Sequence, residues 1–221
     1  MKHIAMHALA AAALLAAGAA QAQSAGTWMV HIGATTIDPQ VSSGNLTAPS
    51  LPNTQVDVKK NTQLSGGIGY MLSDQWAVQV PLALPYRHDI VGAGAIAGAG
   101  KLGDVNVVPA TVFVQYFFGA PGAKVRPYLG VGPTYAKSYH ERSTGTLSAL
   151  TGGNPTTFSV DSRWGVTAEA GATIAFGERY FVDLMVGKTL LKTTTHLSTG
   201  QQITTKLDPL VLSVGVGMSF R

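Results

Sequence analysis

The sequence contains no cysteine, which excludes disulfides, thiolate metal sites and cysteine nucleophiles. Charged residues make up only 12% of the 221 residues, whereas soluble proteins usually carry about a quarter. The formal net charge is +4, and the basic residues are scattered singly, so the sequence predicts no nucleic-acid partner. This low charge favours a protein whose surface meets something other than water.

Long apolar runs are also missing after residue 22, which argues against a membrane-spanning helix. The first residues are different. A short basic start is followed by an uncharged, alanine-rich stretch at residues 8–20 and by the small-x-small pattern Ala20-Gln21-Ala22. These are the three parts of a secretory signal. We therefore predict a cleaved signal peptide at residues 1–22 and one domain at residues 23–221.

Bulky apolar residues alternate with small ones along several segments, which predicts strands. In the last segment the bulky face is Leu210, Leu212, Val214, Val216, Met218 and Phe220. The opposite faces consist mostly of Gly, Ser, Thr and Ala. A soluble barrel would bury its bulky side chains and turn charges to water. Here the small face is too poor in charge for that, so the bulky face is predicted to meet lipid.

The predicted fold class is all-β, an eight-stranded antiparallel transmembrane β-barrel with short periplasmic turns and longer extracellular loops. Strands can cross lipid only in a closed barrel, because every backbone group must be paired. Tight turns are predicted at 73–75, 120–124 and 177–179, and loops at 40–55, 91–103, 140–157 and 196–201. The predicted location is the bacterial outer membrane. The predicted strands are 27–39, 56–72, 76–90, 104–119, 125–139, 158–176, 180–195 and 202–220.

Aromatic residues are concentrated next to the tight turns, which is typical of an interfacial girdle. Tyr86, Tyr139 and Trp164 are candidates for a second girdle at the other interface. Apolar residues of the long extracellular loops are candidates for an apolar mouth of the barrel: Leu46, Leu51, Ile96, Leu147 and Leu150. The predicted periplasmic girdle is Trp28, Tyr70, Trp76, Tyr116, Phe118, Phe176, Tyr180 and Phe220.

Charges on the small-residue register are predicted to face the lumen, because an Arg or Lys at the lipid midplane costs ~2–4 kcal/mol. Arg126, Glu169 and Asp183 should point inward and pair with one another, mainly as a structural feature. No nucleophile motif or metal-ligand spacing is present, so we predict no catalytic residues, metal or cofactor. The predicted lumen-facing residues are His31, Gln79, Gln115, Arg126, Tyr128, Glu169 and Asp183.

Several segments in order along the chain resemble the OmpW family of small outer-membrane barrels. They include Gly69 to Asp74, Leu84-Pro85-Tyr86-Arg87-His88-Asp89-Ile90, Arg126 to Gly132 and Leu207-Asp208-Pro209. The resemblance implies outer-membrane lipid and small hydrophobic solutes as partners, and it offers release sideways into the bilayer as one route. It also implies that the barrel-assembly machinery reads the C-terminal aromatic residue, here Phe220 followed by Arg221.

Three functions remain open at this point. The first is a narrow channel for passive uptake of small hydrophobic molecules. The second is a non-transporting surface protein for adhesion, stress resistance, or phage or bacteriocin docking. An unfilled lumen favours the first, and a barrel plugged by the inward charges and Tyr128 favours the second. The third, an outer-membrane enzyme, would need a serine, a histidine and an acid to converge at one rim.

Overall fold

A computed structural model of the chain describes residues 23–221; the predicted signal peptide at residues 1–22 lies outside them. The described part is almost entirely strand, and its single short helix, α1, is Gly145–Leu150. Within it, no helix is long and apolar enough to cross a membrane. The strands are β1 Trp28–Asp38, β2 Ser42–Ser43, β3 Thr54–Val58, β4 Asn61–Met71, β5 Trp76–Ala83, β6 Tyr86–Gly94, β7 Lys101–Thr111, β8 Phe113–Phe117, β9 Val125–Ser143, β10 Phe158–Val160, β11 Arg163–Phe176, β12 Tyr180–Leu190, β13 Lys192–Leu197, β14 Gln202–Lys206 and β15 Leu210–Phe220.

Eight of these strands close a ring in which every neighbour is antiparallel. The order is β1, β4, β5, β8, β9, β11, β12 and β15, and β15 pairs again with β1 from Trp28↔Phe220 to Asp38↔Leu210. The predicted eight-stranded antiparallel barrel is therefore confirmed. We call the end with the tight turns the turn end, and the opposite end, where the long connections lie, the loop end.

At the loop end the chain continues beyond the ring in two groups of strands. Strands β7, β6 and β3 extend the barrel sheet from β9, and β10, β13, β14 and β2 form a separate four-stranded sheet. Six of the eight predicted strands are each divided into two, as 76–90 is into β5 and β6, and two predicted loops are shorter than expected. The predicted loop 91–103 shrinks because β6 runs to Gly94 and β7 starts at Lys101. The predicted loop 140–157 contains the end of β9 and helix α1.

The bulky residues of each strand are on the outside of the barrel and the small ones are on the inside. Ile32, Val131 and Val214 are each more than half exposed, whereas the residues between them in their strands are more buried. Glycine leaves room inside for a few large side chains. A Cβ on Gly171 would collide with the Tyr128 ring, and a Cβ on Gly217 would collide with the Phe181 ring.

The predicted girdle residues lie around the turn end, where several form ring pairs. Trp28 lies 4.8 Å from Tyr70, and Trp76 lies 5.0 Å from Tyr116, measured between ring centroids. Tyr116 in turn contacts Phe118 at 5.0 Å, and Phe176 stacks on Tyr180 at 6.0 Å. Phe220, the remaining member, pairs in register with Trp28.

Candidate functional site: the barrel interior

The barrel encloses a cavity of about 870 Å³ that occupies its loop-end half. Its wall begins among loop residues, where Leu51 is 67% exposed, and ends at a polar floor near Glu169 and Asp183. All five residues predicted to form the mouth line it. Of these, Leu147 is buried and packs with Ile90, Leu102, Val105 and Phe158, and Ile96 packs against that group.

The floor consists of five of the predicted lumen residues, which form two separate hydrogen-bonded groups. Gln115 Nε2 donates to Gln79 Oε1 and to Glu169 Oε1, both at 2.7 Å. Tyr128 Oη donates to Asp183 Oδ1 at 3.1 Å. His31, the sixth predicted residue to lie here, lines the cavity beside Gln79. The two carboxylates are therefore held by amide and phenol groups rather than by cations.

Arg126, the remaining predicted lumen residue, lies below the floor at the turn end and is only 1% exposed. Its guanidinium donates to the main-chain carbonyl oxygens of Gln23 at 2.6 Å and Asp74 at 2.5 Å. It also stacks over the Phe117 ring at 5.1 Å. Arg126 thus fastens the start of the described chain and one tight turn to the barrel interior.

The expected pairing among Arg126, Glu169 and Asp183 is wrong. Among residues 23–221, no ion pair joins Arg126 to either carboxylate. The register explains this, because Arg126 pairs with Thr173, near the turn end of β11, whereas Glu169 lies four residues further toward the loop end. Alternation correctly placed all three inside, but it carries no information about their relative height.

Below the floor the barrel is filled by apolar side chains. Met29, Met71, Ala77, Phe117, Tyr128 and Phe181 form one buried cluster. A pocket among these side chains has a volume of about 20 Å³, which is on the order of one water molecule. The turn end is therefore closed to any solute larger than water.

A belt of hydroxyl groups surrounds the cavity at mid-height. On one side it joins Thr111 to Thr134 at 2.8 Å, Thr134 to Thr167 at 2.6 Å, and Thr167 to Thr189 at 2.9 Å. On the other side Thr35 bonds Ser65 at 2.7 Å and Ser213 at 2.9 Å. Because the hydroxyls satisfy one another, the cavity wall presents mainly methyl groups and backbone to a solute.

The belt is interrupted between the chain segment that contains β5 and β6 and the segment that contains β7 and β8. There, β5 pairs with β8 from Trp76↔Tyr116 to Gln79↔Phe113, and β6 pairs with β7 from Tyr86↔Val107 onward. Residues 80–85 and 108–112, between these two ladders, have no register partners in each other. Pro81, Pro85 and Pro109 lie in this gap and lack the N–H group that a ladder requires.

The cavity reaches this gap in the barrel wall. Pro81, Leu82, Ala83 and Pro109 line the cavity, and Leu82 is at the same time 53% exposed on the outer face. Sequence analysis did not locate this gap in the ladder, although it lies beside three prolines.

Tyr86 and His88, which also line the cavity, were not among the predicted lumen residues. Tyr86 was predicted for the second girdle, and this is wrong, since it is 1% exposed and points inward. The cause is a local irregularity: Leu84 and Pro85 are both exposed, which shifts the alternation by one residue. His88 is held by a bond from Nδ1 to the Lys59 carbonyl oxygen at 2.8 Å. Trp164 remains outside, 70% exposed, and its ring lies 5.0 Å from that of Tyr135.

A compact group of ion pairs connects β6 and β7 at the loop end, beside the cavity. Arg87 binds Asp104 with two bonds of 2.8 Å, and Lys101 bridges Asp89 at 2.6 Å and Asp104 at 3.0 Å. These bonds, above all the one from Arg87, lower the pKa of Asp104 to about 2. Two cations and two carboxylates balance each other here, so the group is neutral as a whole.

The family of this chain can be assigned from a comparison with known sequences. The OmpW family model matches residues 24–220. The chain belongs to the OmpW family. It is 32% identical over 223 residues to outer membrane protein W of Salmonella typhi, with 100% of both chains covered. It is 26% identical over 194 residues to outer membrane protein AlkL of Ectopseudomonas oleovorans, covering 86% of this chain and 78% of that one.

Solved structures show the same fold. The crystal structure of the outer membrane protein OprG from Pseudomonas aeruginosa superposes with a TM-score of 0.82 at 24% identity, covering 91% of this chain and 99% of that one. As a member of the OmpW family, the chain is an outer-membrane β-barrel. That its turn end faces the periplasm and its loop end faces outward stays a prediction. The predicted family and location are thereby confirmed.

Proposed function

We propose that the barrel is a narrow channel for passive uptake of small hydrophobic molecules across the outer membrane. The observation that carries this proposal is the cavity of about 870 Å³, which begins among exposed loop leucines and is walled largely by apolar groups. Its volume falls in the range of about 300–1,000 Å³ that suits one small ligand. A passive path fits these walls, which hold a solute by contact area rather than by specific polar bonds.

The filled turn end raises the question of how a solute leaves. Phe117, Tyr128 and Arg126 block a direct route toward the periplasm. The gap between residues 80–85 and 108–112 offers a sideways route, because it connects the cavity with the lipid-facing side at Leu82. A hydrophobic solute would gain free energy by passing through this gap into lipid instead of crossing the polar floor.

The same blocked floor supports a second candidate, a surface protein that docks other molecules at its loop end. If that function were correct, a substitution that obstructs the cavity would not change the rate of solute uptake. The two candidates are therefore separated by a pair of tryptophan substitutions in one chain segment. Val107 lines the cavity, and Val114 lies on the outer face.

The experiment measures uptake of a hydrophobic fluorescent probe into liposomes that contain the folded protein. We expect Val107→Trp to reduce the protein-dependent rate at least tenfold, because the indole projects into the cavity and narrows the path, and Val114→Trp to leave the rate unchanged. Equal rates for wild type, Val107→Trp and empty liposomes would overturn the channel and favour the docking candidate.

The sideways exit has its own test, which uses the absence of native cysteine. The last register pair before the gap is Gln79 with Phe113, and the next residues, Val80 and Val112, face each other across its edge without a ladder bond. A thiol-reactive cross-linker can therefore bridge Val80→Cys and Val112→Cys. The matched control is Val114→Cys with Val131→Cys, which are partners in an intact ladder. We expect only the gap bridge to slow uptake. Unchanged uptake with the gap bridged would exclude the sideways exit but not the channel.

A further inference from the structure

Three lysines form a basic surface on the outside of the barrel near its loop end. Lys192 and Lys206 are direct cross-strand partners, and Lys188 lies four residues before Lys192 on the same outer face of that chain segment. All three side chains are exposed. We call Lys188, Lys192 and Lys206 the lysine patch.

The charge of the lysine patch is not balanced within the barrel. Lys206 bonds Asp208 at 3.0 Å, and that carboxylate also accepts a bond from the Leu191 amide. In the described part of the chain, the Lys188 and Lys192 ammonium groups have no hydrogen bond or ion pair. On one neighbouring strand Asp38 lies opposite Leu210. On the other side Asp161, whose main-chain N–H bonds to the Thr194 carbonyl oxygen, is already paired with Arg163 at 2.6 Å. Like charges directly opposite each other are unfavourable, so this arrangement leaves an excess of positive charge.

Comparison with the ion pairs around Asp104 shows that this excess of positive charge is confined to the side of the barrel with the lysine patch. That group is also at the loop end, but its two cations are matched by two carboxylates. The lysine patch has three cations and one bonded carboxylate. The two sides of the barrel therefore present very different fields to their surroundings.

The height of the lysine patch matches the outer headgroup layer. Lys192 is twelve residues beyond the girdle residue Tyr180 in sequence, which is about 30 Å at the usual rise and tilt, just past an apolar band of about 25 Å. The exposed Trp164 marks the same level. It lies two residues beyond Val166, the partner of Leu190, and tryptophan prefers the interface. Lys188, slightly lower, reaches this layer by extending its chain.

We propose that the lysine patch binds the phosphate groups of a phosphorylated glycolipid in the outer leaflet. Phosphate supplies the negative charge that the barrel lacks there, and the exposed Leu190 and Trp164 lie beside the lysines to contact the acyl chains. The lysine ammonium group is a compact positive charge on a flexible chain, and it can pair with a phosphate ester. The proposal concerns the outer surface and is independent of what passes through the cavity.

The test compares retention of lipid A by the detergent-solubilised folded protein, measured by native mass spectrometry, for the phosphorylated and dephosphorylated forms. We expect wild type to retain phosphorylated lipid A more strongly, and Lys192→Gln with Lys206→Gln to weaken retention about 25-fold, since each lysine near an anionic lipid surface contributes about fivefold. The matched control, Lys59→Gln with Lys124→Gln, removes the same charge elsewhere and should bind as wild type does.

Two further arms keep the result decisive. The charge-preserving pair Lys192→Arg with Lys206→Arg should retain the lipid, and rising salt should weaken wild-type binding. Heat-dependent electrophoretic mobility verifies that each variant is folded. Equal retention of both lipid forms by wild type, or undiminished retention by the glutamine variant, would overturn the proposal. The proposal would also fail if inorganic phosphate displaced lipid A from the protein and the protein showed no preference for the lipid over the free ion.

Discussion

The two halves of the barrel share one ring of strands but have opposite interiors. The turn-end half is packed with Phe117, Tyr128, Phe181 and a buried arginine, and the pocket among them measures only about 20 Å³. The loop-end half encloses about 870 Å³. The difference arises on the inner register, where large residues face glycines at the turn end, whereas threonine, serine and proline line the wall above.

From this contrast we expect the turn-end half to provide most of the folding stability and the loop-end half to bind the solute. A filled interior gains from burial and dispersion contacts, whereas side chains that border an empty cavity have fewer partners to lose. Substitutions inside the turn end should therefore cost much more folding free energy than substitutions of cavity-lining residues. The following predictions test that division, beginning with the largest expected effect.

Phe117→Ala should destabilise the barrel by about 3–5 kcal/mol, because it removes a buried ring that contacts both Tyr128 and Arg126. Met185→Ala, at a cavity-lining position, should cost less than about 1 kcal/mol, since that side chain already borders free volume. Urea unfolding in lipid vesicles measures both values. Similar losses for the two variants would remove the distinction between the halves.

Arg126→Met should cost on the order of 3 kcal/mol, because it leaves the Gln23 and Asp74 carbonyl oxygens without their buried donors. The control Arg179→Met changes an exposed turn residue and should stay within about 0.5 kcal/mol of wild type. The same unfolding assay applies. If Arg126→Met were as stable as the control, the buried arginine would not fasten the turn end.

Thr134→Val should cost about 1–3 kcal/mol, because it removes the central hydroxyl of the belt and leaves Thr111 and Thr167 each short of a buried partner. The control makes the same substitution on the outer face. Thr36→Val breaks the exposed 2.7 Å bond to Thr62 and should have almost no effect. A cost for Thr36→Val equal to that for Thr134→Val would show that burial is not the cause.

The smallest effect concerns pH and is confined to the loop end, outside the membrane-spanning strands. Asp104 has a folded-state pKa of about 2, below the usual aspartate value of 3.8. Its contribution to stability is therefore complete above pH 3.8 and is lost as the pH falls toward 2. Carboxyl NMR titration measures this pKa, and Arg87→Gln should raise it. An unchanged pKa in that variant would contradict the assigned ion pair.

Much of the architecture was determined by the sequence alone. The period-two pattern and the bulky outward face determined an eight-stranded barrel, because pleating and the demands of lipid leave few other solutions. The same alternation placed Glu169, Asp183 and Arg126 inside. It failed at Tyr86, where two consecutive exposed residues shift the register.

Only the tertiary structure decided how the interior is divided. Alternation gives the side of a strand but not the stagger between strands, so it could not show that Arg126 lies below the carboxylates and bonds to backbone instead. Nor could it show the closed floor or the gap beside Pro81 and Pro109. Both depend on which residues of distant strands meet at one height, and that is fixed by the shear of the closed barrel rather than by any local sequence pattern.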